Sequence, residues 1–343
     1  MKTNPYESIA DYSKSPCLFT KLKVNKRLTW EMTGQCNMGC KHCCSNAKNT
    51  YICNLSESRA KDIVNQMIDE GVSSLYISGG EPLLWDPLYD FISYSKNNNM
   101  KVISLATNGK LINRDSANRL KDSGIDKVLV SLDSHIESVH NKLRENKMAF
   151  SSAKNAIYEL SYNNIFVRVG SIIWSGNVDY LEEMTEAISK MGVDEITFSW
   201  LMKTGRAKNH PELFIPKEKY FEIGNKLTEI KEKFKNQIYV TYHRFETIDK
   251  NAIGCKGGES FIHINPEGYV SPCSWIAKLI SEYSTNESIF EKDFTHLVNH
   301  ENIKKFKEMV KRREEIYGPG CPAICIIENG DIYSKDPLFV KKS

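Results

Sequence analysis

Short runs of apolar and β-branched residues alternate with stretches of helical periodicity along the first two hundred residues. The runs predict strands over Arg27–Met32, Ser74–Ser78, Lys101–Thr107, Lys127–Leu132, Ile165–Ile173 and Glu195–Leu201. Between the first two, Ala60, Ile63 and Met67 share one helical face, and Gly71 ends that helix. Further helices are predicted over 87–97, 114–123, 148–162 and 178–191. This alternation is typical of parallel strands with right-handed crossovers, in either a barrel or an open doubly wound sheet.

The pattern of apolar positions changes after residue 205. An amphipathic helix is predicted over 217–235, and its apolar side consists of Phe221, Ile223, Leu227, Ile230 and Phe234. A hairpin is then predicted from Phe261–Ile264 and Tyr269–Val270. Its connection, Asn265-Pro266-Glu267-Gly268, suits a type I turn. A second, smaller α+β part therefore follows the α/β part.

Composition narrows the class of protein. The 343 residues carry 46 Lys plus Arg against 43 Asp plus Glu, so 46 − 43 leaves a formal charge of +3. This balance gives no support to nucleic acid or an anionic membrane as the main partner. No window reaches the ~20 apolar residues of a membrane span, and the first 30 residues lack an apolar segment of signal-peptide length. We therefore expect a cytoplasmic globular protein.

Ten cysteines are distributed unevenly along this chain. None falls between positions 54 and 254, and two separate thiol centres are therefore predicted. The first contains Cys36, Cys40 and Cys43, and the second contains Cys255, Cys273, Cys321 and Cys325. In a reducing cytosol, clustered thiols are more often metal ligands or catalysts than disulfides.

The first centre, Cys36-x-x-x-Cys40-x-x-Cys43, directly follows the first predicted strand. Three thiolates in a loop suit either zinc, with His42 or Cys44 as a fourth ligand, or an iron–sulfur cluster. A cubane cluster held by three cysteines keeps one iron open to a small molecule. Downstream, the second strand runs into Gly79-Gly80-Glu81-Pro82, where two glycines allow a close backbone approach and acceptor groups suit an ammonium. Taken alone, that tetrapeptide would be a tight turn with proline at a helix start.

These two motifs together resemble the radical S-adenosylmethionine (radical SAM) superfamily. The likeness continues through Thr107-Asn108-Gly109, Ser131-Leu132-Asp133 and Thr204-Gly205-Arg206-Ala207, and so covers most of residues 27–207. It implies a partial (β/α)6 TIM-like barrel in which the three cysteines hold a [4Fe–4S] cluster. SAM would bind the open iron and be cleaved reductively to a 5′-deoxyadenosyl radical that abstracts hydrogen from a substrate. Barrel active sites lie at the C-terminal ends of the strands, which agrees with these positions.

The resemblance also implies roles for individual residues. Gly79, Gly80 and Glu81, followed by Pro82, would hold the SAM ammonium, and Ser131 and Arg144 are candidates for its carboxylate or ribose. His42 would pack near the adenine, and Asn108 and Asp133 belong to the same cofactor-binding set. Arg144 could instead be a surface arginine on a helix, and His42 could have a packing role only. Glu81 and Asp133 are acid–base candidates by proximity alone.

The second thiol centre resembles the auxiliary-cluster extension of many radical SAM enzymes, called the SPASM or the shorter twitch domain. The spacing of Gly268 and Cys273 gives the nearest match. Four cysteines remain of the seven in the full pattern, which implies one auxiliary [4Fe–4S] cluster for electron transfer or structural support. The alternative is a tetrathiolate zinc site. The chain would then comprise an N-terminal extension over 1–26, a radical SAM core over 27–210, and a bridging helix with the auxiliary domain over 211–343.

Three cysteines belong to neither centre: Cys17, Cys44 and Cys53. Each is expected to be a small buried hydrophobe. Because Cys44 and Cys53 lie near the radical centre in sequence, either could alternatively donate a hydrogen atom to a substrate radical, as an epimerase requires.

Enzymes of this layout act mostly on ribosomally made peptides, forming thioether or carbon–carbon crosslinks or inverting Cα. A peptide maturase is therefore the first hypothesis, with an electron donor such as flavodoxin or ferredoxin. The roughly 25 residues before the first strand are too few for an N-terminal peptide-recognition domain, so a leader peptide would dock on a separate protein or on the barrel and its extension. The second hypothesis is a small-molecule enzyme of tetrapyrrole or aminosugar metabolism, suggested by Trp30-Glu31-Met32-Thr33. The third hypothesis is a non-enzymatic metal carrier. The SAM-site motifs argue against it, because a carrier would need no SAM site.

Overall fold

A computed structural model describes residues 2–3, 26–47, 55–242 and 254–337. In this part of the chain one sheet contains nine strands, in the spatial order β7-β6-β5-β4-β3-β2-β1-β8-β9. The strands are β1 (Lys26–Thr33), β2 (Val72–Gly79), β3 (Val102–Thr107), β4 (Lys127–Ser131), β5 (Phe166–Ile173), β6 (Glu195–Trp200), β7 (Tyr239–Tyr242), β8 (Phe261–Ile264) and β9 (Val270–Ser271). The six predicted core strands are confirmed to within two residues at each end.

Eleven α-helices occur in the same described ranges. They are α1 (Glu57–Asp69), α2 (Leu88–Asn97), α3 (Arg114–Asp122), α4 (Glu137–Arg144), α5 (Ala149–Tyr162), α6 (Leu181–Ser189), α7 (Tyr220–Phe234), α8 (Ser274–Leu279), α9 (Phe294–Val298), α10 (Glu301–Tyr317) and α11 (Pro322–Asn329). A 3-10 turn over Val178–Tyr180 precedes α6 and accounts for its later start. Gly71 and Gly192 both have a φ of +80°, as expected for left-handed residues that end helices.

The strands β1 to β7 lie side by side in chain order, and each neighbouring pair is parallel. A doubly wound sheet reverses its strand order at a switch point, whereas this sheet progresses in one direction. The partial barrel is therefore confirmed over the doubly wound alternative. Its strand ends after β1 to β6 converge on one face, where the predicted site residues lie.

The C-terminal part continues this sheet on both sides. β7 pairs with β6 at one edge, and β8 pairs in parallel with β1 at the other, from Arg27↔Phe261 to Trp30↔Ile264. β9 folds back on β8 through the predicted turn, in which the N–H of Gly268 donates to the carbonyl of Asn265 at 3.0 Å. The sheet thus extends across the predicted boundary at residue 210.

One prediction for α7 was wrong. Ile223, Leu227, Ile230 and Phe234 are buried against the sheet, but Phe221 is 51% exposed. Phe221 lies two positions before Ile223, and residues two apart on a helix face different directions.

Apolar packing forms one large core and a smaller second one. The large core lies between the sheet and its helices and includes Leu28, Ile77 and Val169. The second core is built around Ile276, Phe306 and Met309, and it receives three of the C-terminal cysteines. No helix in the described ranges is long and apolar enough to cross a membrane.

Candidate active site

A cavity of about 360 Å³ opens at the C-terminal ends of the barrel strands. Strand residues such as Glu31, Gly79, Ser131 and Ser171 line its walls. The loop of residues 34–47, here called the cysteine loop, closes one side, and α8 closes another. This is the face on which barrel enzymes place their active sites.

The cysteine loop brings Cys36, Cys40 and Cys43 together at the cavity wall. All three pack in one apolar cluster with Met38 and Ala149, and the N–H of Cys43 donates to the carbonyl of Cys40 at 3.3 Å. Burial raises the pKa of the Cys36 thiol to about 11 and also raises that of Cys40. A bound cation would favour the deprotonated form of these thiols.

Within the described residues, no three His, Cys, Asp or Glu side chains form a group that could hold a metal ion. The ligands of a four-iron cluster surround a larger volume than the ligands of one ion.

Gly79, the last residue of β2, and Gly80, which follows it, let the cysteine loop pack directly against their backbone. A Cβ on Gly80 would lie 1.8 Å from the carbonyl oxygen of Gln35, and one on Gly79 would lie 2.4 Å from that of Thr33. The N–H of Gly80 donates to Thr33 and the N–H of Glu81 to Gln35, both at 2.7 Å. The glycines therefore serve a close approach between two backbone segments while also lining the cavity.

Glu81 does not line the cavity. Its buried carboxylate accepts hydrogen bonds from Thr107 Oγ1 at 2.8 Å, from the N–H of Asn108 at 2.8 Å and from the N–H of Leu83 at 3.3 Å. Burial raises the pKa of Glu81 to about 7, against the lowering effect of these three donors. The side chain joins the ends of β2 and β3, and the contact of Glu81 with the SAM ammonium stays a prediction. Pro82 is also buried outside the cavity lining.

Arg144 is buried and lines the cavity, so the surface-arginine alternative was wrong. Its Nε donates to Asp133 Oδ2 at 2.7 Å, and its Nη1 lies 3.9 Å from Cys40 Sγ. Asp133 itself is fully buried behind this arginine and outside the lining, where Oδ1 accepts from the N–H of Ile172 at 3.1 Å. Burial acts to raise the pKa of Asp133, but the Arg144 charge holds it well below its usual range. Asp133 therefore positions Arg144.

Three further predicted residues line the cavity: His42, Asn108 and Ser131. Burial lowers the pKa of His42 to about 3, so its imidazole is neutral, and its Nδ1 has no hydrogen-bond partner among the described residues. Asn108 Nδ2 donates to Asn37 Oδ1 at 2.8 Å and lies 3.9 Å from Cys36 Sγ. Of the two candidate hydrogen donors, Cys44 lines the cavity and is exposed, so its expected burial was wrong. Cys53, like Cys17, lies outside the described residues.

The second thiol centre adjoins the same cavity. Cys255, Cys273 and Cys321 pack against the second core, and Cys325 is fully buried nearby on α11. The Sγ of Cys273 accepts from the N–H of Ile276 at 3.4 Å and so caps α8. The next residues of α8 turn back to the cavity, which they line with Ser274, Trp275 and Lys278.

Sequence reasoning missed an ion pair in the cavity wall. Lys278 Nζ donates to Glu31 Oε1 at 2.5 Å, and the same oxygen accepts from Ser45 Oγ at 3.3 Å. His263 Nε2 lies 3.4 Å from it. Burial acts to raise the pKa of Glu31, but Lys278 and His263 hold it well below its usual range. The alternation of side-chain directions along β1 could have predicted that Glu31 faces the cavity. No local sequence signal predicts its partner Lys278, which lies 247 residues away.

Arg206 was also not assigned, although it belongs to a motif that the sequence singles out. Its Nε donates to the carbonyl of Cys40 at 2.8 Å and its Nη1 to that of Ala47 at 2.7 Å. The neighbouring Gly205 has a φ of +53°, and a Cβ there would lie 2.3 Å from the carbonyl oxygen of Cys43. Residues after β6 thus hold the cysteine loop through contacts separate from those at the end of β2.

The cavity of this barrel combines a three-cysteine loop, a glycine pair and a buried Asp–Arg pair, the features that resemble the radical SAM superfamily. Comparison with known families agrees, because residues 30–191 match the radical SAM superfamily. Residues 30–191 are therefore similar to a radical SAM domain, which implies SAM and a SAM-binding [4Fe–4S] cluster as cofactors.

Individual relatives extend this likeness over most of the chain. The antilisterial bacteriocin subtilosin biosynthesis protein AlbA of Bacillus subtilis is 27% identical over 287 residues, which cover 82% of this chain and 62% of AlbA. The AdoMet-dependent heme synthase of Methanosarcina barkeri is 24% identical and covers 91% of this chain and 95% of that enzyme. The crystal structure of Streptococcus suis SuiB bound to S-adenosylmethionine superposes with a TM-score of 0.73 at 14% identity, over 94% of this chain and 77% of SuiB.

Proposed function

We propose that this radical SAM enzyme holds its SAM-binding cluster through Cys36, Cys40 and Cys43. The proposal is supported by their common loop, their shared packing cluster and their position at the cavity. Gly79, Gly80, Asn108, Ser131, His42 and Arg144 would contact SAM, since all six line that cavity. Bound there, the cluster and SAM supply a 5′-deoxyadenosyl radical that abstracts hydrogen from a substrate.

Anaerobic reconstitution with iron, sulfide, SAM and reductant tests this assignment. Wild-type enzyme should release 5′-deoxyadenosine, and Cys36→Ala should release none because the cluster loses a ligand. Cys44→Ala is the matched control, since Cys44 lies in the same loop but outside the proposed ligand set. Equal cleavage by wild type and Cys36→Ala would refute the assignment.

We propose that the substrate is a ribosomally made peptide that is crosslinked or epimerised. The observation that carries this proposal is the charge balance of the cavity wall. Lys278 is paired with Glu31, Arg144 with Asp133, and Arg206 is bound to two backbone carbonyls. A tetrapyrrole with several carboxylates would need several uncompensated cations, but of these three cationic residues only Arg206 is held by neutral groups. The amide groups of a peptide suit a wall of paired donors and acceptors. The likeness to AlbA is consistent with this substrate class.

A small-molecule substrate, such as a tetrapyrrole side chain or an aminosugar, is the second candidate. The likeness to the heme synthase over 91% of this chain favours it. The motif Trp30-Glu31-Met32-Thr33, however, places only Glu31 in the cavity, because Trp30 and Met32 are buried in the large core.

Co-expression with a precursor peptide encoded beside the gene, followed by mass spectrometry, distinguishes the two substrates. Loss of two hydrogens would indicate a crosslink, and an isobaric product with a new retention time would indicate inversion at Cα. For inversion, Cys44 is the proposed hydrogen donor, and Cys44→Ala should stop turnover while SAM cleavage continues. An unchanged peptide together with a modified porphyrin would favour the second candidate.

We further propose that Cys255, Cys273, Cys321 and Cys325 hold an auxiliary [4Fe–4S] cluster. The capping of α8 by Cys273, next to cavity residues, supports electron transfer or structural support at the substrate side of the cavity. Wild type should then contain about eight irons per chain, and Cys321→Ala about four. About four irons in the wild type, or a stoichiometric zinc, would contradict the second cluster.

A further inference from the structure

At the second thiol centre, one cysteine accepts a hydrogen bond from a buried arginine, a contact that metal ligation by four cysteines does not itself require. Arg313 Nη2 donates to the Sγ of Cys325 at 3.0 Å, and both side chains are completely buried. The remaining guanidinium bonds run to backbone carbonyls: Nε to Ile332 at 3.1 Å, Nη1 to Gly318 at 3.3 Å and Nη2 to Ser334 at 3.0 Å. Four contacts therefore fix this planar group with one N–H directed at the sulfur.

Glu314, the next residue of α10, holds a second cysteine of this centre. Glu314 Oε1 accepts from the N–H of Cys255 at 2.7 Å. Gly254 makes room for this contact, because a Cβ there would lie 2.0 Å from the same oxygen. Adjacent positions on one helix thus hold cysteines that are 70 residues apart in sequence. Asp336 Oδ2 accepts from the N–H of Cys321 at 2.7 Å and holds a third.

We propose that Arg313 is a positioning residue for the auxiliary cluster, orienting Cys325 as a ligand and raising the reduction potential of that cluster. The proposal rests on the second cluster proposed above. A fully buried guanidinium is costly unless negative charge lies near it. The carboxylates of Glu314 and Asp336 lie at the same centre, and a metal-bound thiolate at Cys325 would add a negative charge in direct hydrogen-bond contact with Arg313. Hydrogen bonds to the sulfurs of an iron–sulfur cluster stabilise its reduced form, because that form carries one more electron.

The test measures midpoint potential in reconstituted full-length protein by titration monitored with electron paramagnetic resonance. Arg313→Gln removes the charge, and we expect a fall of at least about 59 mV, a tenfold change in the one-electron equilibrium. Arg313→Lys keeps the charge but loses the fork geometry, and a smaller fall is expected. Arg312→Gln, an exposed neighbour on α10, is the matched control and should leave the potential unchanged.

The iron content distinguishes two negative outcomes: that Arg313 does not have this role, and that the second cluster does not exist. About four irons in the wild type would remove the second cluster itself. About eight irons in the wild type and both Arg313 variants, with unchanged potentials, would overturn the role of Arg313 and leave the cluster in place. Eight irons in Cys325→Ala would also overturn it, because Cys325 would then not be a ligand.

A measurement on unaltered Arg313 covers the case in which neither variant folds. Protein labelled with ¹⁵N-arginine is prepared in the Cys36→Ala background, which is expected to lack the first cluster and so removes the signal of Arg144. Electron–nuclear double resonance of the reduced auxiliary cluster should detect a coupled ¹⁵N nucleus. Absence of any coupling would overturn the proposal.

Discussion

At the scale of single residues, the motif around the cavity divides into groups that face it and groups that support it. Gly79, Gly80 and Arg144 face the cavity, whereas Glu81 and Asp133 point away and hold neighbouring backbone and side chains. The sequence could predict where these residues lie along the strands. It could not predict the direction of the two carboxylates, which depends on partners such as Thr107 and Ile172 on other strands.

Gly80→Ala should damage the cysteine loop. Its Cβ would collide with the carbonyl oxygen of Gln35, a backbone atom that cannot move without shifting the loop. We expect a loss of at least about 1–3 kcal/mol in unfolding free energy, together with reduced iron content. Gly39→Ala is the control in the same loop, since its Cβ would lie 3.6 Å from Glu145 Oε2, an ordinary contact. Equal iron content and stability in both variants would contradict this account.

His140 should make stability depend on pH. Burial lowers the pKa of His140 to about 4, although the Asp133 charge opposes this. The ordinary value near 6.5 applies in the unfolded chain, so the unfolded state binds more protons as pH falls from 6.5 toward 4. Stability should therefore decrease over that window, by up to about 3 kcal/mol from this group.

Urea unfolding of His140→Gln and wild type between pH 5 and 8 tests this dependence. The variant should show a flatter stability profile below pH 6.5 than the wild type. His296→Gln, with an exposed side chain, should keep the wild-type slope. A wild-type slope in His140→Gln would assign the acid sensitivity to other groups.

At the scale of elements, the periodic strands and helices of the barrel were predictable because their apolar positions repeat without interruption. Three other elements have weaker local signals. α4 is mostly polar, β7 has only four residues, and α8 begins directly after Cys273, a metal-ligand candidate. Their boundaries depend on tertiary contacts, such as the cap from Cys273 to Ile276, more than on local periodicity.

The orientation of α7 can be tested by a pair of substitutions. Leu227→Ala removes a completely buried side chain from the large core and should cost about 2–5 kcal/mol of unfolding free energy. Phe221→Ala alters the exposed side of the same helix and should change stability by no more than about 0.5 kcal/mol. Chemical denaturation of both variants gives the comparison. Comparable losses would mean that Phe221 is covered in solution.

At the scale of the whole molecule, the C-terminal part completes the barrel instead of standing apart from it. Its strands hydrogen-bond to both edges of the core sheet, and α8 supplies part of the cavity wall. The Glu31–Lys278 pair joins β1 to α8 across this junction. The sequence placed the two thiol centres in separate regions, but it contained no local information on how the regions meet.

Lys278→Met should weaken the junction. The substitution keeps the length of the side chain but leaves the buried Glu31 carboxylate without its cation, so we expect a loss of about 3–5 kcal/mol. Lys292→Met, at a half-exposed pair with Glu287, should cost less than about 1 kcal/mol. Both are measured by urea unfolding. A similar small loss in the two variants would show that Glu31 is not dependent on Lys278.

The pairing of β1 with β8 has a consequence during synthesis of the chain. Trp30 of β1 pairs with Ile264 of β8. One edge of β1 therefore has no neighbouring strand until more than two hundred further residues have left the ribosome. A nascent barrel with an unpaired edge strand can pair with strands of other molecules. Slow translation or interrupted synthesis should therefore favour aggregates, and assistance from chaperones should matter most before β8 emerges.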